Sequence, residues 1–543
     1  MELLAAGWCG RVRRRVMTAG LLGLGAVPLA HAALTDNLLA SPVAMSLGNA
    51  VTADPPGVES IHFNPAGLAR MTGNTFTASL QVATIRTREW FNSAPDLNIG
   101  GFKDDPLNGT TSGPVSHRLY LPGVGLMPWH MPALPVPGIG FTFNKPGSPF
   151  TFGTATYASM GFSLDRTADP EDPSRFDGRI MQIQRLVFLS PSVGYKVSDT
   201  LRVGVSVPIA HHAMVFDTDM RLPNPLVGML GSIQNGWCPN NGGNILDTFT
   251  VGFCGGGPEG KLNPFKKAAN LQLEMTAPID PTVNIGVLWE PRSWFAMGAT
   301  FQSGSNTIFR GTYELQVEPM VTNFIQGLNS SLVGPIVGAV LGLPQSVPPV
   351  QKGHLVGTVP FPERLQVGFK VKPVNFLQFN VDVGYTNWSK WNTLTFKFDQ
   401  SVEVLKILRL FGIPDASQVS LPMGIRNEVN YGFGMQVDVT DKLTLRFGYE
   451  PRKSSVPANK LSLLAPLPDL SHKSAGFRYK FDGGAELNVA ASYISGSYNV
   501  PARSDCNLNC DGFFNVLYNP YAATNVAGTL IVRYLGMSYT MPF

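Results

Sequence analysis

The sequence predicts an all-β protein, a transmembrane antiparallel β-barrel of about fourteen strands closed around an N-terminal plug. Three observations lead there. The 543 residues include 14% charged side chains, 57 glycines and 33 phenylalanines, at a mean hydropathy of +0.06. A soluble domain carries about a quarter charged residues, and a bundle of membrane helices is far more apolar. From Gly73 onward apolar residues recur at every second position, the period that sends successive side chains to opposite faces of a strand. Brief turns also alternate with long connections, the asymmetry expected when strands turn tightly on one side of a membrane and loop widely on the other.

Taken in order, residues 1–32 read as an export signal. Arg11, Arg13, Arg14 and Arg15 precede the apolar run from Val16 to Leu29, and Ala30-His31-Ala32 supplies a small-x-small cleavage site. Residues 33–72 read as the plug. They lack strand alternation and contain Asp54-Pro55-Pro56-Gly57 and Phe63-Asn64-Pro65-Ala66-Gly67-Leu68. Short helical pieces are expected around 43–49 and 65–71, the second with Asn64 as its cap and Pro65 in its first turn, where a missing N–H is harmless. Ile61, Phe63 and Leu68 are expected to line an apolar pocket, with Asn64-Pro65-Ala66 fixing the turn between pocket and exit.

Residues 73–543 read as the barrel with its long outer loops. Leu377, Phe379, Val381, Val383 and Tyr385 alternate with Gln378, Asn380, Asp382 and Gly384, and Val429 to Val437 and Leu443 to Glu450 repeat the pattern. Asp382, Arg446 and Glu450 fall on the lumenal face, and Arg446 is a candidate ligand contact. Turns recur at 197–200, 290–293, 372–375, 439–442 and 481–484. Long connections lie near 217–268, 318–358, 399–424, 455–469 and 499–521. The last strand places Ile531, Leu535, Met537, Tyr539, Met541 and the terminal Phe543 on one face, similar to the C-terminal signature of bacterial outer-membrane proteins.

Two loop segments carry helical spacing. Pro319 to Val350 contains no charged residue, yet its polar interruptions argue against a membrane span. Val321, Phe324, Ile325, Leu328, Leu332, Ile336 and Val340 give it an apolar stripe; this either packs on the barrel rim or, with Phe324, Leu328 and Leu332, forms a capture surface, and the two readings are evenly matched. Val402 to Ile413 is a second amphipathic segment, with Val404, Leu405, Leu408 and Phe411 on one side. Cys238/Cys254 and Cys506/Cys510 form two close pairs in Gly/Asn/Asp-rich stretches, which favours loop disulfides over a zinc site.

Little in the chain points to catalysis. It has no Gly-x-Ser-x-Gly elbow and no His-Glu-x-x-His motif, and Pro258 spoils the chance dinucleotide match at Gly255–Gly260. No cofactor or metal is implied. The net charge of +4 without a basic cluster argues against nucleic acid.

Several stretches, in order, resemble the FadL-type family of outer-membrane transporters for long-chain fatty acids and other hydrophobic compounds. Gly48-Asn49-Ala50 through Asp54 to Asn64-Pro65-Ala66-Gly67-Leu68 is similar to the family's plug with its Asn-Pro-Ala motif. Phe379 to Ser389 resembles its Trp-Ser strand, Leu443 to Tyr449 with Ser454 to Pro457 its LTLR segment, and Pro466 to Asp469 with Gly476 to Tyr479 a later strand. The resemblance implies a fourteen-stranded barrel in a Gram-negative outer membrane with the N-terminal segment folded inside as a hatch; a monomer without enzymatic activity is expected. It also implies uptake by loop capture, a lumenal pocket and sideways exit into outer-membrane lipid. Fatty acids, hydrocarbons and sterol-like lipids are all compatible. A general porin for polar solutes and an outer-membrane lipid hydrolase are the competing readings.

Overall fold

The computed structural model describes residues 37–238, 247, 249, 251–255, 257–411, 415–463, 466–513 and 519–543; the side chains of 408–411, 421 and 422 are outside that description. The export signal, the first residues of the plug and the side chains of Leu408 and Phe411 therefore lie outside the described residues.

Among them, fourteen antiparallel strands close a barrel. They are β1 (Thr75–Ser93), β2 (Leu134–Phe143), β3 (Phe150–Asp165), β4 (Ile180–Leu189 and Ser192–Lys196), β5 (Leu201–Ser206 and Ile209–Arg221), β6 (Lys267–Pro281 and Asn284–Arg292) and β7 (Phe295–Gln302 and Ser305–Val317). There follow β8 (Val350–Phe361 and Arg364–Val374), β9 (Leu377–Thr386 and Thr393–Phe398), β10 (Gln418–Pro422 and Glu428–Asp438), β11 (Leu443–Arg452), β12 (Leu470–Lys480), β13 (Glu486–Val500) and β14 (Thr524–Pro542). Closure is made by β1 and β14, paired from Thr75↔Pro542 to Ser93↔Thr524.

The strands from β4 to β10 are each interrupted once, and the interruptions line up as a seam around half the wall. Pro191, Pro208 and Pro362 sit in three of them, where the missing N–H removes a ladder bond. The seam divides two storeys with opposite chemistry. Below it β9 turns Phe379, Val381, Val383 and Tyr385 outward and buries Gln378, Asn380 and Asp382. Above it the same strand buries Leu394 and Phe396 and presents Thr393 and Lys397 to the outside. Upper β7 likewise buries Phe309, Tyr313 and Leu315 while Arg310, Thr312 and Gln316 face out. The lower outside suits lipid, and the upper outside suits water. The upper interior holds an apolar cluster that includes Met214, Met275, Phe309, Leu355, Phe361 and Phe396.

Short turns close the lower end, and the long loops fold over the upper mouth. There Arg221 pairs with Asp105 (2.8 and 2.9 Å) among the rings of Phe176 and Tyr521. This buried ion pair is satisfied on both carboxylate oxygens, the condition that makes such a pair tolerable. Cys238 is bonded to Cys254 (Cα–Cα 5.4 Å) and Cys506 to Cys510 (4.7 Å), both in these loops.

The 319–350 stripe does not form one face. It folds as α1 (Pro319–Asn329) and α2 (Gly334–Leu341), bent by 110°. Met320, Val321, Ile325 and Leu328 pack onto the upper apolar cluster or are buried beside it, while Leu332 (70% exposed), Ile336 and Val340 stand out. The expected capture surface is thus corrected. Leu328 is buried and Phe324 packs half-buried against the core, which leaves Leu332 alone outside. The break at 330–333 rotates the stripe, something helical spacing alone cannot show. The second segment forms a 3-10 turn, Glu403–Phe411, with Val402 and Leu405 buried.

Candidate functional site

The plug fills the lower lumen, and the wall is built to receive its backbone. A Cβ on Gly286 would meet Asn64 Oδ1 at 2.0 Å, one on Gly204 the Pro65 carbonyl carbon at 2.2 Å, and one on Gly448 the Gly48 amide at 2.1 Å. These lumenal glycines are the seat. Polar side chains between them hold the plug's own N–H and C=O groups. Asp382 accepts from the amides of Val51 (3.0 Å) and Thr52 (2.8 Å), and Asn380 donates to the Ala50 carbonyl (2.8 Å). Asn49 donates to Glu450, which Arg452 and His472 also contact. At the floor, Asp54, Arg70, Glu290, Arg202 and Lys370 form one charged network across plug and wall.

Asn64 is the knot of the plug. Its Oδ1 accepts from the Ala66 amide (3.2 Å), capping the 3-10 turn Pro65–Arg70, while Nδ2 donates to the carbonyls of Thr52 (2.8 Å) and Val287 (3.0 Å). A side-chain amide offers both a donor and an acceptor, and here both are used on backbone.

Above the plug, at the seam, lies a cavity of ≈ 70 Å³ lined by His62, Tyr157, Arg185, Arg364, Phe361 and Trp388, among others. Arg185 donates to Ser159 (3.1 Å) and Thr282 (2.8 Å). The buried Tyr157 hydroxyl has no hydrogen-bond partner among the described residues. Burial, aided by the charges of Arg185 and Arg364, pushes the His62 imidazole down to about 3, so it stays neutral. The rings of Phe361 and Trp388 and the guanidinium groups of Arg185 and Arg364 thus line one cavity.

A second cavity, ≈ 20 Å³, shares His62 and Tyr157 with the first and reaches Gly138, Ile139 and Thr156 in the wall. The wall is thin there. β2 follows β1 from Thr75 to Ala83, but it pairs with β3 only from Ile139 to Phe143. Higher up β3 bulges at Ala158/Met160 and leans to β4. This leaves a window between β1 and β3, and the segment around 112–131 crosses it.

The residues singled out from sequence fall in three places. Ile61, Phe63 and Leu68 are buried in a cluster between plug and wall, with Val51 and the wall residue Ala155, and do not line the cavity; the helical turn Ser60–Phe63 instead points His62 at the cavity. That corrects the expected pocket lining. Pro65 and Ala66 lie over the wall glycines with Asn64. Arg446 is lumenal but stands apart from the cavity linings, bound to Gln436 (3.2 Å) and Asn488 (2.8 Å). Sequence reasoning missed His62, Tyr157, Arg185 and Arg364. The prolines at 208 and 362, breaking otherwise regular strands, were the available signal for the seam.

A plugged β-barrel with a lipid-facing belt, an apolar chamber and a side window is an outer-membrane protein built for passage of hydrophobic molecules. The chain belongs to the outer membrane protein transport protein family (OMPP1/FadL/TodX), whose profile it matches over residues 24–543. It is a family of transporters of hydrophobic compounds in the Gram-negative outer membrane, not of enzymes. The chain is 26% identical over 214 residues to the long-chain fatty acid transport protein of Escherichia coli O6:H1 (strain CFT073), a match covering 39% of this chain and 42% of that protein. Its fold is similar to that of a Pseudomonas aeruginosa FadL homologue (TM-score 0.64, 16% identity, 95% of this chain and 100% of that one). It is also similar to the Ralstonia pickettii toluene transporter TbuX (TM-score 0.55, 16% identity, 93% and 98%).

Proposed function

We propose that this protein takes up hydrophobic molecules carrying a polar or acidic head, a long-chain fatty acid being the type case, and releases them sideways into the outer leaflet. It does so as a single chain, since chamber, cavity and window all belong to one barrel. The loops capture substrate, the upper chamber accepts its tail, and the waist receives its head. The plug closes the route to the periplasm. One observation carries this reading: the apolar upper interior ends on a cavity bearing Arg185, Arg364 and the unpartnered Tyr157 hydroxyl. Arg364 is buried and Arg185 half-buried, and two guanidinium groups on one cavity disfavour a purely apolar ligand and suit a carboxylate.

Uptake into protein-loaded vesicles tests it. Arg185→Met should lower oleate uptake about tenfold, the effect of losing one net charge-assisted hydrogen bond, and leave toluene uptake unchanged. If both fall together or neither changes, the head site is wrong, and a neutral hydrocarbon becomes the better substrate. Replacing Asn64-Pro65-Ala66 by three glycines should reduce uptake and let small polar dyes leak while heat-modifiable migration on gels stays normal. Parental uptake without leak would remove the plug from the mechanism.

A further inference from the structure

The window between β1 and β3 is wide enough in sequence to leave residues 84–88 of one strand and 157–162 of the other without strand partners between them. A few contacts from the crossing segment bind the two edges. Backbone bridges join Ser116 to Asp165 and His117 to Met131. At the middle of the window one side chain touches both edges. The Ile85 amide of β1 donates to His117 Nε2 (3.2 Å), and His117 Nδ1 lies 2.7 Å from the Ser163 carbonyl of β3. An amide N–H can only donate and a carbonyl can only accept, so the two partners fix one neutral tautomer, with the proton on Nδ1. The ring is 1% exposed, in a wall that faces lipid on its lower side.

We infer that His117 is the gating residue of the lateral window, a stitch whose release lets β1 and β3 part and substrate pass into the outer leaflet. The inference rests on the lateral-exit reading above. Its support is positional. The imidazole joins two strand edges that no backbone ladder pairs at this height, where the other direct link is Arg166, just past β3, donating to Thr87 of β1 (3.4 Å); it lies above the small cavity that runs from Tyr157 and His62 to Gly138. The neighbouring groups hold the crossing segment in place without doing this job. Arg118 binds Asp165, and the Arg118 amide and carbonyl both meet the Ser163 hydroxyl. His130 reaches Asp165 as well (3.3 Å), so these contacts tie the segment to β3 alone. Ser112 bonds Glu89 at the upper end of the window, and among the described residues only His117 carries a side-chain bond from the segment to residues 84–88 of β1.

The test uses the full-length protein in vesicles, with a pyrene-labelled fatty acid as probe and its transfer to the bilayer as the rate. Spin labels at Arg86→Cys and Thr156→Cys report the window width, and a bifunctional maleimide across the same pair locks it. His117→Leu should raise transfer about tenfold, the factor equivalent to two modest net hydrogen bonds, and lengthen the label distance. His117→Gln offers an acceptor and a donor and should restore both to parental values, which a merely packing role would not do. If His117→Leu fails to reach the folded form on gels, His117→Asn, too short for both partners, carries the test with the same expectation. Parental transfer and distance in the leucine or asparagine variant, with transfer still abolished by the maleimide lock, would overturn His117 as the gate and keep lateral exit. A lock that leaves transfer untouched would overturn lateral exit and the gate together.

Discussion

The two storeys of this barrel obey opposite rules. Below the seam Val383 and Tyr385 look outward and Asp382 looks in; above it Thr395 and Lys397 look outward and Phe396 looks in. One strand, β9, does both. The difference teaches that alternation specifies a strand but not its solvent. Which face is apolar depends on whether lipid, water or a plug lies against it, and the wall changes that assignment within a few residues by breaking each strand once.

Breaking that comparison should have graded effects. The largest is expected in the upper interior, where Phe309→Ala removes a fully buried ring packed near His212 and Phe361. A loss of ~3–5 kcal/mol is expected, read by urea unfolding in vesicles. Next is a charge on the lower outside. Val383→Arg should destabilise by ~2–4 kcal/mol if it lies near the bilayer midplane, whereas Thr395→Arg on the upper outside should stay within ~0.5 kcal/mol. Equal losses at both sites would mean that the storeys share one solvent.

Smaller still is the expected effect at the plug. Asp382→Ala removes the acceptor for two plug amides, a loss of ~1.5–3 kcal/mol in seating the plug. Polar dye efflux from vesicles should rise while the barrel's melting stays near parental. The smallest effect concerns Glu59, half-buried in the plug outside the spanning strands. Burial raises its carboxyl to about 7, against the Ser41 hydroxyl and the charge of Arg446, which lower it. An acid raised in the seated state binds its proton there more tightly than when released. The seat is therefore most stable below about 4.5, weakens as pH climbs from there to about 7, and levels off above. Dye efflux should increase across that window, and Glu59→Gln should flatten the profile. A flat profile in the unaltered protein would detach Glu59 from plug seating.

Much of the architecture was legible. Alternation, the turn-and-loop rhythm and the strand ending at Phe543 specified a barrel, and Asn64-Pro65 specified a capped turn, because these are local patterns with local causes. The site was less legible. Arg185 and Arg364 lie in different strands, 179 positions apart by their numbering, and only barrel closure brings them to one cavity. Leu328 and Leu332 share a helical face on paper, but the bend after Asn329 separates them. The abundance of glycine read as a barrel trait, and its use as a seat needed the plug in place to be seen.

That seat bears on how the protein is made. Gly204, Gly286 and Gly448 leave no room for any side chain under the plug, and an empty lumen would expose grooves shaped only for that backbone. The barrel is sealed by β1 meeting β14 along the whole length of both, so the first strand must wait for the last. A segment bound on the wall from β5 to β12 cannot easily thread a finished cylinder. The amino-terminal piece must already be aboard when the carboxy-terminal strand zips shut, which makes insertion into the membrane an act of wrapping rather than of filling.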